Sequence, residues 1–233
     1  MPRGGVLFLA VPDSALRDMA ARVASMGPPP DLAIVHLSGA MGLDALDALG
    51  DNPRGSWHPL QSFPFPRDAS AFRGITVAVD ATTPALQRRL AALARDLGAK
   101  PKHVPAEHRA RYHAAAVFAS SFVDVVVREA VRLLEKAGWT EDEATRALMP
   151  LIDGAVANIK RKGVVGALTG PLRRGDAETV SRHLAVMDNP DLYRMLALVA
   201  LEIAIQAGLD PAAAERTRRA LTRKVAATRR RRS

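Results

Sequence analysis

Four side chains have the chemistry to move a proton or to hold an anionic group: His58, Arg109, His113 and Ser121. Imidazole titrates near neutral pH, which makes the two histidines candidate general acids or bases. Arg109 can hold a carboxylate with two hydrogen bonds, but it is a poor acid at neutral pH. Ser121 can donate a hydrogen bond to a substrate oxygen. The structural alternative is a rigid turn around His58 and ordinary helix packing around His113.

Residues that end two apolar runs form a second set of candidates. Continuous apolar runs at 6–11 and 32–37 are typical of strands buried on both faces of a parallel sheet. Ligands of such sheets bind at the carboxyl edge, where strands end and helices begin. The residues that we predict to contact a ligand there are Val11, Pro12, Asp13, Ser38 and Gly39. A helix N-terminus with an early proline explains the first three equally well.

The elements that position these candidates change along the chain. Up to about residue 105, apolar runs alternate with helical spacing, which predicts an α/β domain with a doubly wound parallel sheet. Farther on, apolar residues recur every three or four positions, as in helices. The predicted strands are 6–11, 32–37, 75–79 and 100–104, and the predicted helices are 14–26, 84–97, 109–137, 140–162, 176–187 and 190–207. We therefore expect an α/β domain at 1–105, an all-α domain at 106–209 and a basic tail at 210–233.

Composition excludes several classes of function. The 233 residues contain no cysteine, which excludes disulfides, thiolate metal sites and a cysteine nucleophile. The net charge of +9 comes from residues 216–233, which carry nine basic and no acidic side chains, so the rest of the chain is neutral. A neutral body predicts no nucleic-acid binding beyond a weak contact of the Arg229–Arg232 run. No apolar stretch is long enough to span a bilayer and no signal peptide is evident, so we expect a soluble, cytoplasmic protein.

Two well-known binding motifs are missing. No two of the sixteen glycines stand two positions apart, so the phosphate-binding pattern G-x-G-x-x-G does not occur. The sequence also lacks the Gly-Lys pair of a P-loop. His103, His108 and His113 stand five residues apart, a spacing that does not place them on one face of a helix. We therefore predict no metal site.

Five sequence strings, in order, carry a resemblance to a known family. They are LAVPD at 9–13, HLSGA at 36–40, SWHPLQSF at 56–63, YHAAAVFAS at 112–120 and LTGPL at 168–172, the last followed by RGD at 174–176. Together they resemble, over about residues 6–207, the Rossmann-like proteins that carry a DUF2520 helical domain. The resemblance implies kinship with 6-phosphogluconate dehydrogenase and an NAD- or NADP-dependent oxidoreductase acting on a small anionic hydroxyacid, keto acid or imine. It also implies that the strand-end residues named above bind the cofactor, with the turn at 11–13 beside the nicotinamide ribose. A homodimer is implied as well, and the alanine- and valine-rich face of residues 114–131 favours it.

Departures from the family pattern leave alternatives open. Family members have a strand, a glycine-rich turn and a helix ahead of the LAVPD string, which here begins at residue 9. Either the assigned start is too late, which we favour, or the chain is a homologue with a truncated Rossmann-like domain. Relatives commonly have lysine in place of Arg109 and asparagine in place of Ser121, which puts turnover in doubt. The alternative function is a cofactor-free binding or scaffold protein that has lost dinucleotide binding.

Overall fold

The computed structural model describes residues 4–223 as two compact units, which divide in sequence between Val126 and Val127. The first unit is α/β and the second is helical. This confirms the predicted fold class, an α/β sheet domain followed by an all-α region. The domain boundary near residue 105 stays a prediction.

The α/β unit contains one sheet whose strands alternate with helices. Its elements are β1 Val6–Leu9, α1 Asp13–Ser25, β2 Ala33–His36, β3 Arg54–Pro59, β4 Thr76–Ala81, α2 Pro84–Asp96, β5 Lys100–His103 and α3 Ala106–Ala119. Two short 3-10 helices lie at Leu43–Leu49 and Ala69–Phe72. The four predicted strands are present, whereas β3 was not predicted. His58 therefore lies within a strand and not, as the sequence indicates, in a short connection.

The strands lie in the sheet in the order in which they occur in the chain, from β1 to β5. The sheet is mostly parallel: β1, β2 and β3 run in one direction, and β5 is parallel to β4. The exception is β4, which is antiparallel to β3. A parallel pair needs a crossover connection, usually a helix. Residues 60–75 between β3 and β4 contain only a short 3-10 helix, and the chain accordingly turns back.

The reversal at β4 places α1 and α2 on opposite faces of the sheet. The parallel pairs β1 with β2 and β4 with β5 are each connected through an α-helix, and such crossovers are right-handed. Because β4 and β5 run opposite to β1 and β2, the same handedness places α2 on the other face from α1. The core under α1 includes Leu9, Leu16 and Ile34, and the core under α2 includes Val35, Val79 and Leu90. Trp57 of β3 belongs to the second core and donates its indole N–H to the Leu90 carbonyl at 3.1 Å. Neighbouring residues of β3 consequently face α1's side of the sheet.

The helix predicted over residues 109–137 is broken in the structure. It consists of α3 and of α4, Ser121–Lys136, separated by Ser120 with φ −128° and ψ −87°. The Ser120 hydroxyl donates to the carbonyl of Ala116, four residues earlier, at 2.7 Å. Such back-bonding bends helices. Apolar spacing continues through the break, which is why periodicity alone predicts one helix.

The helical unit begins within α4 and continues with α5 Glu141–Ala167, α6 Gly170–Arg174, α7 Ala177–Ala185, α8 Asp191–Gln206 and α9 Pro211–Thr222. Its core joins α7, α8 and α9 through Val180, Leu201 and Leu221. In contrast, α5 buries Ala144 alone among its 27 residues. No helix within residues 4–223 combines the length and the apolar character needed to cross a bilayer. The Arg229–Arg232 run lies outside the described residues.

Candidate active site at the carboxyl edge of the sheet

A row of buried polar side chains crosses the sheet near the carboxyl end of β2. The pairing of the strands places His36 beside Ser56, and Ser56 beside Asp80, so the three side chains share one face. All three are buried. His103 at the end of β5 lies 3.2 Å from the Asp80 carboxylate. Buried polar groups need hydrogen-bond partners, so another element must satisfy this row.

Arg109 of α3 provides that partner for Ser56, whereas Nε2 of His36 has no hydrogen-bond partner within residues 4–223. Arg109 is only 1% exposed, which is exceptional for an arginine. Its Nη1 donates to the Ser38 carbonyl at 3.2 Å and its Nη2 donates to the Ser56 hydroxyl. Asp80 raises the pKa of the guanidinium, which partly offsets the lowering caused by burial. Arg109 therefore ties α3 to the β2 end and to β3, and two of its donors are already engaged by the protein.

His58 lies two residues beyond Ser56 and hence on the same face of β3. Its Nδ1 lies 2.8 Å from the Tyr112 hydroxyl, and the two rings meet edge to face at 5.6 Å. The opposite edge of the imidazole packs on Gly39. A Cβ atom added to Gly39 would lie 2.8 Å from both Cε1 and Nε2 of His58. The ring is therefore held between a tyrosine and a glycine backbone.

Ser38 shapes the loop that follows β2. Its hydroxyl accepts hydrogen bonds from the backbone N–H groups of Ala40 and Met41, at 3.2 and 2.9 Å. Its own N–H donates to Nδ1 of His36 at 3.2 Å. With its oxygen engaged as an acceptor, the Ser38 hydroxyl keeps one proton to donate. Arg109 holds the carbonyl of the same residue, which fixes this loop from both sides.

Both site histidines are neutral at physiological pH. Burial, His113 and Arg109 together lower the pKa of His58 to about 4, and Asp13 opposes them with a smaller effect. Burial and Arg109 lower the pKa of His36 to about 4 as well, opposed by the Gly42 backbone, Asp13 and Asp44. Burial also raises the pKa of Tyr112, although Arg109 opposes the effect. The site thus holds neutral hydrogen-bonding groups beside a buried arginine and the buried carboxyl group of Asp80.

Most of the predicted site residues converge here. Ser38, Gly39, His58 and Arg109 are in direct contact or joined by hydrogen bonds, and Asp13 and His113 are close enough to shift the pKa of His58. Val11 and Pro12 lie in the turn between β1 and α1, where Pro12 occupies the N-cap position. Ser121 is exposed at the start of α4, and within residues 4–223 no hydrogen bond joins it to the cluster.

Sequence reasoning missed two members of the cluster, Tyr112 and Ser56. Tyr112 stands next to His113 and reads as a residue that packs against the sheet. Ser56 is the third residue of β3, with glycine directly before it and proline three residues after it, and both residue types are depleted in strands. The alternation of Ser56, Trp57 and His58 was the available signal, because it places two polar side chains on one face and an indole on the other.

The described residues suit one half of a dinucleotide better than the other. Ser38 and His58 offer hydrogen-bond donors beside the Gly39 backbone, as a nicotinamide amide and ribose need. The turn from β1 to α1, however, contains no glycine, and Asp13 places a negative charge at the helix N-terminus. That charge opposes a phosphate. The cluster therefore fits the nicotinamide end of a cofactor, and residues 4–223 supply no glycine-rich phosphate turn.

Comparison with known proteins identifies the family. The family model described as "Domain of unknown function (DUF2520)" matches residues 75–203, which is more than half of the chain. The chain belongs to the DUF2520 family. This DUF2520 protein has no match among curated proteins.

Solved structures share its fold. Protein TM1727 from Thermotoga maritima is 26% identical, with a TM-score of 0.74, over 89% of this chain and 81% of its own. A candidate NADP oxidoreductase from Bacteroides fragilis is 24% identical, with a TM-score of 0.71, over 88% and 77% of the two chains. Pyrroline carboxylate reductase from Plasmodium falciparum with NADP bound is 10% identical, with a TM-score of 0.57, over 95% and 82%. The DUF2520 protein therefore has the fold of Rossmann-type oxidoreductases.

The two neutral histidines predict a pH dependence of stability. In the unfolded chain each has a pKa of 6.5, whereas in the fold His36 and His58 have a pKa of about 4. Between pH 6.5 and 4 the unfolded state binds protons that the folded state does not, so stability falls as the pH falls. Each such proton changes the free energy of unfolding by about 1.4 kcal/mol per pH unit. Urea unfolding at a series of pH values will show uptake approaching two protons near pH 5.

Two variants assign this uptake. His58→Gln removes up to one proton from it, whereas His108→Gln, an exposed change on α3, leaves it unaltered. A free energy of unfolding that stays constant between pH 7 and 5 contradicts the buried, neutral state of both histidines.

Proposed function

We propose that this DUF2520 protein is an NAD(P)-dependent oxidoreductase acting on a small anionic hydroxyacid, keto acid or imine. The observation that carries the proposal is the convergence of His58, Ser38 and Gly39 at the carboxyl edge of the sheet, beside a buried arginine. Ligands of open α/β sheets bind at this edge. The fold shared with Rossmann-type oxidoreductases supports the same class of chemistry.

The cofactor side of the site consists of the two loops that follow β1 and β2. Ser38 and Gly39 would hold the nicotinamide end, with the turn at Val11, Pro12 and Asp13 beside it. The cofactor would supply the hydride. The Ser38 hydroxyl, already fixed by Ala40 and Met41, donates its remaining proton to a ligand oxygen without further ordering.

The substrate side of the site is built on β3 and α3. His58 is neutral, so it acts as an N–H donor that polarises the reacting group and stabilises the negative charge that develops there. His113 is half-buried near His58 and faces the anionic part of the substrate. Arg109 holds the Ser38 loop in place through its hydrogen bonds to the Ser38 carbonyl and the Ser56 hydroxyl. Its role is positioning.

Calorimetric titration with NADPH tests this function. We expect binding that is weaker than about 10 μM, because the described residues hold only the nicotinamide end. Reduced nicotinamide mononucleotide, which lacks the adenosine half, will bind within about a factor of three of NADPH, about 0.7 kcal/mol. Ser38→Ala will weaken both by about tenfold through loss of one hydrogen bond, and Ser181→Ala, an exposed change in the helical unit, is the matched control.

The opposite result supports the alternative function. If neither ligand gives a heat of binding at millimolar concentration and the fold is intact, the protein is a cofactor-free binding or scaffold protein that has kept the family fold. If NADPH binds a hundredfold more tightly than the mononucleotide, the protein also holds the adenosine half of the cofactor. That result contradicts binding of the nicotinamide end alone.

We also propose that the helical unit forms a homodimer. Its exposed apolar side chains include Leu151 and Val164 of α5 and Met195 and Val199 of α8, exposed by 70, 61, 68 and 57%. Apolar surface on this scale marks an interface, and a second copy offers the same surface in a twofold arrangement. Light scattering at micromolar concentration will give a mass near 50 kDa, about twice the 24.9 kDa of one chain. Leu151→Glu will halve that mass, and a monomeric wild-type protein overturns the proposal.

A further inference from the structure

The contacts of His58 define which of its nitrogens carries the proton. Nδ1 lies 2.8 Å from the Tyr112 hydroxyl, and within residues 4–223 the structure shows no hydrogen bond at Nε2. Because the ring is neutral, one nitrogen is a donor and the other an acceptor. The partner at Nδ1 therefore decides what Nε2 presents to a ligand.

Tyr112 is better suited to donate than to accept. A phenol O–H is a stronger acid than a neutral imidazole N–H, and an unprotonated imidazole nitrogen is a stronger acceptor than a phenol oxygen. Tyr112 keeps its proton at neutral pH, since burial raises the pKa of the phenol. The titratable groups around this pair are Arg109 and His113 on α3 and Asp13 on α1, and burial is the largest of the effects that leave His58 neutral. The hydroxyl therefore donates to Nδ1.

We propose that Tyr112 positions His58 as an Nε2–H donor over the Gly39 backbone, and that this donor selects a substrate with an acceptor oxygen, a 2-oxo acid, over an imine. The first half rests on the hydrogen bond between Tyr112 and His58 and on the packing of His58 against Gly39, and it does not depend on the proposed function. The second half rests on the proposed function, because it concerns the group that is reduced.

The selection follows from matching donors with acceptors. A ketone oxygen accepts the Nε2–H hydrogen bond, and the bond strengthens as negative charge develops on that oxygen. An imine reacts with hydride as the protonated iminium, whose N–H is itself a donor. Two donors facing each other in a half-buried site leave both unpaired, which costs free energy. The site therefore discriminates by hydrogen-bond polarity, a form of selection that pocket shape does not provide.

Nitrogen-15 NMR of the histidine rings tests the first half without any ligand. The couplings of ring nitrogens to carbon-bound protons at pH 7 identify the protonated nitrogen, and His58→Gln assigns the His58 signals among the six histidines. We expect a single Nε2–H tautomer for His58. In Tyr112→Phe the two nitrogen shifts will move toward each other, because the ring then exchanges between tautomers. A protonated Nδ1 in the wild-type protein, or unchanged signals in Tyr112→Phe, overturns the proposal.

The chain provides a matched control in its helical unit. His183 and Tyr193 repeat the geometry, with Nδ1 and the hydroxyl 2.9 Å apart and the rings edge to face at 5.8 Å. Tyr193→Phe removes a tyrosine hydroxyl from the same kind of pair far along the sequence. It will move the His183 signals and leave those of His58 unchanged. A change of the His58 signals in Tyr193→Phe instead indicates a general loss of structure and removes the support that Tyr112→Phe gives.

Titration with two probes tests the second half. Pyruvate and the cyclic imine 1-pyrroline-2-carboxylate are added to the labelled protein, with and without NADPH, and the His58 Nε2 shift is followed. We expect pyruvate to move this signal at a concentration at least tenfold lower than the imine. Equal or tighter imine binding, or no response to pyruvate, overturns the keto-acid preference. Failure of NADPH to bind in calorimetry, by contrast, overturns the proposed function and leaves the tautomer result standing.

Discussion

Arg109→Ala is expected to lower the free energy of unfolding by about 4 kcal/mol, a large share of the stability of a domain this size. The substitution removes the side chain that satisfies the Ser38 carbonyl and the Ser56 hydroxyl. Each buried polar group left unpaired costs about 1–3 kcal/mol, and the deleted side chain also leaves a cavity. Urea unfolding followed by circular dichroism at pH 7.5 measures the change.

Arg111→Ala provides the comparison for this loss. Arg111 lies on the same helix but is exposed, so its removal will change stability by less than about 0.5 kcal/mol. The two variants share the residue type, the helix and the substitution, so they differ only in the burial and the hydrogen bonds of the arginine that is removed. A loss below about 1 kcal/mol for Arg109→Ala would show that the guanidinium is solvated and not buried against β3.

Gly39→Ala is expected to displace the imidazole of His58 and to cost about 2 kcal/mol of stability. The added methyl group would lie 2.8 Å from two ring atoms, which is closer than van der Waals contact allows. Tyr112 lies on the other side of the ring, so the ring can move away from Gly39 only if the hydrogen bond at Nδ1 breaks. Thermal unfolding measures the cost, and the His58 nitrogen shifts report the displacement.

Gly154→Ala is the control with the opposite sign. Gly154 lies inside α5 with open space around its Cα, so alanine there stabilises the helix by up to about 1 kcal/mol. Neither glycine has a positive φ, so the two positions differ in space and not in backbone strain. If Gly39→Ala leaves stability unchanged or raises it, as Gly154→Ala does, then His58 is not closely packed on the loop after β2.

Local patterns predict the regular elements well. The apolar runs at 6–11 and 32–37 form β1 and β2, but only β2 is buried throughout, because β1 lies at the edge of the sheet and leaves Phe8 exposed. The spacing that predicts a helix at 84–97 matches α2 to within one residue. The sequence does not predict β3 because glycine and proline occur within its six residues and three of its side chains, including Ser56 and His58, are polar. Ser56 and His58 are tolerated because Arg109 and Tyr112, more than fifty residues later, form hydrogen bonds with them. Long-range partners of this kind leave no local signal.

The positions of the candidate residues and their chemical states differ in how far the sequence predicts them. Ser38, Gly39, His58 and Arg109 lie together in the structure, whereas strand-end reasoning points to Ser38 and Gly39 alone among these four. The role of Arg109 differs from that of a substrate clamp, since burial and its partners at Ser38 and Ser56 follow from packing that spacing does not encode. The state of His58 is likewise a product of the fold, because burial takes its pKa to about 4.

The sequential order of the strands has a consequence for how the chain folds. Each strand pairs with the one made just before it, so no strand waits for a distant partner. Topologies dominated by near-neighbour contacts close short loops first and fold quickly. The sheet can accordingly assemble strand by strand during synthesis. Helix α3 is synthesised later, and Arg109 then forms its hydrogen bonds to the Ser38 carbonyl and the Ser56 hydroxyl when β2 and β3 are already paired.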